Sequence, residues 1–124
     1  MPLTAEEIDR VLQFSLNILR AFGFSEFQLF LSTRPQKFVG SEEQWAEAEA
    51  ILNSALERSG VPFEVDPGGG VFYGPKIDLK IRDSLGRLWQ CSTIQVDFQL
   101  APRFGLSYIG ADNERHTPVV IHRA

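Results

Sequence analysis

Three stretches of the sequence hold residue types able to do chemistry. Cys91, His116 and His122 are the soft and borderline donors, but their spacing matches no compact zinc signature. His122 follows the apolar run Val119-Val120-Ile121 and is the better ligand candidate, while His116 sits in a charged loop. Cys91 falls at an apolar parity and reads as a small buried hydrophobe. Gly68-Gly69-Gly70 has the composition of a phosphate cradle. A cradle of that kind needs a helix N-terminus after it, and here a strand pattern follows, so the run reads as a turn. Tyr73-Gly74-Pro75-Lys76 is a stiff turn that delivers a lysine to the start of a strand. No Ser-His-Asp or Cys-His arrangement follows from spacing.

The elements that must position these residues are legible from periodicity. Ile8, Val11, Leu12, Leu16, Leu19 and Phe22 form a helical stripe, with Thr4 and Glu7 as a capping box and Gly23 as the stop. Glu6, Glu7 and Asp9 are expected in the first turn. Phe27 to Leu31 reads as a mostly buried strand. A second helix starts at Ser41 with Gln44 as its box partner, turns Trp45, Ala48, Ile51, Leu52, Ala55 and Leu56 inward, and closes at Gly60. From Pro62 the period changes to two. Phe63 to Val65 and Lys76 to Asp83 are strands, Ser84-Leu85-Gly86 turns, and Arg87 to Phe98 returns antiparallel. Leu106 to Ile109 and Val119 to Ile121 are further short strands or helix approaches. The fold class is α+β, an antiparallel sheet backed by helices, in one domain spanning residues 1–124.

The return strand breaks its own alternation. Trp89 and Cys91 share the parity of Leu79 and Ile81, whereas Ile94, Val96 and Phe98 hold the opposite one. Side chains alternate with period two, so one extra residue near Ser92 or Thr93, a β-bulge, is required to keep one face apolar. With that bulge, Gln90, Thr93, Gln95 and Asp97 join Lys76 and Lys80 on a single polar face. Without it, the same residues are a solvated surface on a sheet that twists between two cores.

Composition excludes several classes. The 124 residues carry 16 acidic and 12 basic side chains, a net charge of −4, which argues against a non-specific DNA binder. No apolar run approaches the length of a membrane span, and MPLTAEEIDR lacks the basic start and apolar stretch of a signal peptide. One cysteine forms no internal disulfide, which suits a reducing, cytoplasmic compartment. Ten phenylalanines supply a substantial core.

Several long segments together carry a resemblance. FYGPKIDLKIRD (72–83), RLWQCSTIQVDFQL (87–100) and SYIGADNERHTPVVIHRA (107–124), with LSTRP (31–35) and GSEEQW (40–45) upstream, closely resemble the catalytic domain of the threonyl-tRNA synthetases, a class II aminoacyl-tRNA synthetase family. The likeness runs along nearly the whole chain. It implies an enzyme that activates L-threonine with ATP and Mg²⁺ and ligates it to tRNA(Thr), with a homodimeric parent and no membrane or DNA partner. It also implies a zinc ion that grips the amino group and hydroxyl of threonine and so rejects valine, which has no hydroxyl. His122 matches one of three zinc ligands, the other two lying in segments upstream of this chain, and Cys91 is not among them. Tyr73 and Lys76 match residues lining the threonine and adenylate pocket, with Lys76 as the catalytic cation offsetting developing negative charge. Gln90, Thr93 and Gln95 match the polar residues on the ATP and substrate side. The resemblance further puts Tyr73 near the terminal adenosine of tRNA.

Ala101-Pro102 and Ala111 depart from the family pattern, which usually has a Pro-Glu-type pair and an acidic residue there; both are expected in loops. The three class II motifs fall outside residues 1–124. The expectation is therefore part of a synthetase catalytic core, inactive in isolation. The alternative is a freestanding synthetase-like binding module without catalysis.

Overall fold

The computed structural model describes residues 2–124, with side chains from residue 4 onward. Helix α1 (Pro2–Ala21) is followed by β1 (Phe27–Ser32), α2 (Glu42–Ser59), β2 (Phe63–Asp66), β3 (Lys76–Arg82) and β4 (Leu88–Asp97). A short helix α3 (Leu100–Arg103) then leads to β5 (Tyr108–Ile109), β6 (Arg115–His116) and β7 (Val120–Arg123). Five strands form one sheet in the order β2-β1-β3-β4-β7, and β5 and β6 pair as a separate ribbon. The β1–β3, β3–β4 and β4–β7 pairs are antiparallel, as the alternation predicts. The edge pair β1–β2 is parallel, with α2 as the crossover between them.

Both long helices lie on one face of the sheet. Ile8, Leu12 and Leu16 of α1 and Ala48, Leu52, Ala55 and Leu56 of α2 meet Leu29, Leu31, Ile77, Leu79, Ile94 and Val96 in one buried cluster. Full burial of each of the larger side chains contributes about 1.5–3 kcal/mol. The helices are fixed to each other by Arg58, whose Nε and Nη2 donate to the two carboxylate oxygens of Asp9 at 3.0 and 2.9 Å. The Ser41–Gln44 capping box forms as expected, and Gly60 ends α2 in the left-handed region at φ 72°.

Helix α1 departs from expectation at its start and in the exposure of Phe22. It begins at Pro2, so Thr4 lies inside the first turn rather than capping it, and no acidic residue falls there. Proline is pre-set for a first helical turn, and that preference outweighs the box. At the other end Gly23 stops the helix as expected, in the left-handed region at φ 89° with the Phe24 amide donating to the Leu19 carbonyl, but Phe22 is 78 % exposed instead of on the buried stripe.

The bulge is present, one residue earlier than expected. Leu79 pairs with Ser92 but Lys80 pairs with Gln90, so Cys91 is the extra residue. Cys91 is consequently exposed, contrary to the expectation of a buried thiol. Trp89 keeps its parity opposite Ile81, yet it is 52 % exposed, because this end of the β3–β4 hairpin lies outside the core cluster. Ala101 is also not in a loop: it is fully buried in α3. Ala111 does lie in a turn, between β5 and β6.

Candidate functional site

The face of the sheet away from the helices is polar. Its first rung crosses three strands: Lys76 of β3 is opposite Gln95 of β4, and Gln95 is opposite His122 of β7. The second rung sets Asp78 opposite Thr93, and the third sets Lys80 opposite Gln90. Skipping Cys91 is what brings Gln90 onto this face together with Thr93 and Gln95. All six candidate residues read from the sequence are therefore neighbours, with Tyr73 reaching the first rung from the preceding turn.

That turn is built for close approach. Gly74 lies where a Cβ would come within 2.1 Å of the Val96 carbonyl oxygen, so only glycine lets the chain pass there. Pro75 accepts from the Val96 amide at 3.3 Å, which ties the turn to β4. Tyr73 then donates its hydroxyl to Gln95 Oε1 at 2.8 Å and packs edge-on to the His122 ring at 5.9 Å. With Oε1 occupied, the Gln95 amide is left with its two N–H donors.

Asp78 is the centre of the second rung and is 5 % exposed. Its Oδ2 accepts from Ser32 Oγ at 2.9 Å and lies 3.4 Å from Lys76 Nζ. Its Oδ1 accepts from Gln90 Nε2 and Thr93 Oγ1, each at 3.0 Å. Gln90 Nε2 donates its second proton to Thr93 Oγ1, so the Gln90 amide presents only Oε1 outward. A buried carboxylate is tolerated because a cation and three donors surround it.

Asp97 closes the face at the end of β4 and is fully buried. Oδ1 accepts from the backbone amides of Gln99 and Leu100 at 2.7 and 3.0 Å, which starts the turn into α3. Oδ2 lies 2.9 Å from His122 Nε2. Sequence reasoning placed Asp97 on the polar face without a role, and Asp78 shares the parity of Lys76 and Lys80 on that face. The available signal was a carboxylate alternating with lysines in one strand and a second one ending its neighbour.

The other candidates separate from this site. The amides of Gly68, Gly69 and Gly70 donate to Thr33 Oγ1, the Asp66 carbonyl and the Thr33 carbonyl, so the run is a turn with its donors spent. His116 lies on β6 against Asp112 Oδ2 at 2.7 Å, and its ring stacks near Tyr108. The carboxyl of Asp112 is held below the usual range by the Glu114 amide and by His116. Asp83, at the hairpin end, is likewise lowered, chiefly by the indole N–H of Trp89.

Among the described residues no group of three or more His, Cys, Asp or Glu could hold a metal ion. What the face does hold is a single imidazole backed by a buried carboxylate. That is the outer-shell arrangement of a metal-ligating histidine, so the chain's donors fit one arm of a metal site and not a whole one. No helix among the described residues is long and apolar enough to cross a membrane.

Residues 4–124 match the tRNA synthetase class II core domain family (G, H, P, S and T). The chain is 55 % identical over 119 residues to a threonine–tRNA ligase of Sulfurihydrogenibium sp. (strain YO3AOP1), covering 96 % of this chain and 18 % of that protein. It is 52 % identical over 125 residues to the threonine–tRNA ligase of Aquifex aeolicus (strain VF5), covering 98 % and 20 %. Its fold matches the structure described as the RNA binding domain of threonyl-tRNA synthetase from Cryptosporidium parvum Iowa II. That match has TM-score 0.89 and 48 % identity, and covers 96 % of this chain and 30 % of the other. The chain thus spans about a fifth of the length of the curated relatives it matches.

Proposed function

Because the chain belongs to the class II tRNA synthetase core-domain family, we propose that it forms one wall of the threonine- and ATP-binding site of a threonine–tRNA ligase. The observation that carries this reading is the first rung: Lys76, Gln95 and His122 are register partners on three adjacent strands, with the Tyr73 hydroxyl on Gln95. A cation, a pair of amide donors and an imidazole on one rigid rung suit a ligand with a carboxylate or phosphate at one end and an amine and hydroxyl at the other.

Each residue's part follows from what its neighbours leave free. Lys76 is held by Asp78 and directs its remaining N–H bonds at the negative charge shared by carboxylate and α-phosphate during adenylate formation. Gln95, oriented by Tyr73, donates to the ligand. Gln90, oriented by Asp78 and Thr93, accepts from it. Fixing these dipoles in advance is the main service of such a wall, because none need reorganise as charge develops. His122 is the chain's contribution to zinc. When bound, zinc supplies a Lewis acid that engages the amino group and hydroxyl of threonine and so discriminates against valine.

On this reading residues 1–124 are one unit of the catalytic core without the family's three class II motifs. ATP enters with Mg²⁺, tRNA(Thr) is the acceptor, the parent enzyme is a cytoplasmic homodimer, and the 124-residue chain alone is inactive. Threonine-dependent ATP–pyrophosphate exchange tests this directly. The full-length protein carrying this chain is expected to exchange with threonine and not with valine, and the 124-residue chain to show none. Exchange that is indifferent to threonine would overturn the assignment.

A further inference from the structure

The buried carboxylate of Asp97 has more partners than a turn requires. Its Oδ1 already accepts from both the Gln99 and Leu100 amides, at 2.7 and 3.0 Å, and these suffice to start the short helix α3. Its second oxygen is spent on His122 Nε2 at 2.9 Å, with the aspartate 0 % exposed and the imidazole side chain 36 % exposed. A fully buried ionised carboxylate can only accept hydrogen bonds, so the nitrogen facing it must carry a proton. The neutral imidazole is then left with its lone pair on Nδ1, and among the described residues Nδ1 has no hydrogen-bond partner.

We propose that Asp97 is a positioning residue that locks His122 as the Nε2–H tautomer, leaving the Nδ1 lone pair as the donor His122 offers to a divalent cation. The proposal rests on the reading of this face as part of a metal-assisted ligase site and adds to it the nitrogen that binds and the residue that selects it. The lock has two parts. The Gln99 and Leu100 amides fix the rotation of the carboxylate, and the edge-on Tyr73 ring, 5.9 Å away, stands against the imidazole. β7 supplies the rest, since His122 is register-paired with Gln95 and cannot slide along the sheet.

The substitution Asp97→Asn tests this without changing shape. Its carbonyl oxygen takes over the two backbone amides, because those donors require an acceptor. The NH₂ must then face Nε2, which becomes an acceptor, and the proton moves to Nδ1. The chain has only two histidines, so nitrogen-15 spectra of the 124-residue chain at pH 8.5 resolve His122 once His116→Gln has identified the other. The wild-type chain is expected to show a protonated Nε2 and a bare Nδ1, and Asp97→Asn the reverse.

In the full-length protein, chelator competition with Zn²⁺ is expected to show affinity about 10–100-fold weaker for Asp97→Asn, with His116→Gln unchanged. A wild-type His122 protonated on Nδ1, or on both nitrogens, overturns the proposal. A tautomer that flips with zinc affinity unaltered overturns it as well. If Asp97→Asn does not fold, the wild-type spectrum and Asp97→Glu, which keeps the acceptor and the tautomer, decide the question. Loss of threonine-dependent exchange in the unmodified protein would remove the ligase reading while leaving the tautomer result standing, so the two failures are distinguishable.

Discussion

Asp78 and Asp97 are both buried carboxylates on the same polar face, and they do different work. Asp78 gathers side chains: Ser32 from β1, Lys76 from its own strand, Gln90 and Thr93 from β4. Asp97 gathers backbone, two amides of the turn into α3, and one imidazole. The first fixes where charge and dipoles point across three strands. The second fixes the path of the chain and one proton. Which effect a carboxylate exerts depends on whether its donors are mobile side chains or amides already held by the fold.

The comparison breaks most visibly at Asp78. Replacing it by alanine leaves Lys76, whose side chain is 17 % exposed, without its counter-charge and three donors without an acceptor. A loss of about 3–5 kcal/mol is expected in urea unfolding. Gly74→Ala comes next. Its Cβ meets the Val96 carbonyl oxygen at 2.1 Å, on the backbone that joins the two carboxylates' territories. The turn must move, at a cost of about 2–4 kcal/mol measured the same way. Asp97→Ala is expected to cost less, about 1–3 kcal/mol, because the freed Gln99 and Leu100 amides lie near a surface turn that water can reach. If Asp97→Ala proved more damaging than Asp78→Ala, the division of labour would be wrong.

Asp83 provides the exposed contrast and the smallest effect. Its carboxyl is lowered, first by the Trp89 indole N–H and then by Arg87 and the Leu85 amide. A depressed folded-state value means the stabilisation is complete above the ordinary carboxylate range, about pH 4, and is lost as pH falls through the lowered value. The Trp89 indole proton resonance, followed from pH 6 downward, is therefore expected to shift only below the ordinary range. A shift centred at or above it would contradict the hydrogen bond.

How much of this was legible in the sequence divides along a physical line. Period-two alternation says which face a side chain occupies, and the break after Cys91 was enough to require a bulge and to assemble Gln90, Thr93 and Gln95 beside Lys76. Alternation does not say whether anything covers that face. Trp89 and Cys91 have the apolar parity and are exposed, because coverage depends on where α1 and α2 end. The start of α1 was misplaced for a local reason, since two N-terminal signals competed and the proline prevailed over the Thr4 box. The long-range bonds of Asp78 and Asp97 could not be read, because those partners, at Thr93, Ser32 and His122, lie 15 to 46 residues away.

The central claim is that Lys76, on the rung of Gln95 and His122, meets the negative charge that develops on the ligand, whereas Lys80 does not. Lys76 and Lys80 make the sharpest pair for testing it. They sit four residues apart on one strand and one face, but Lys80 lies over the Phe30 ring at 4.6 Å, two rungs from His122. Threonine-dependent ATP–pyrophosphate exchange by the full-length protein is expected to fall about a hundredfold or more in Lys76→Met and to stay near the unmodified rate in Lys80→Met. Equal losses in the two variants, or none in Lys76→Met, would contradict the account.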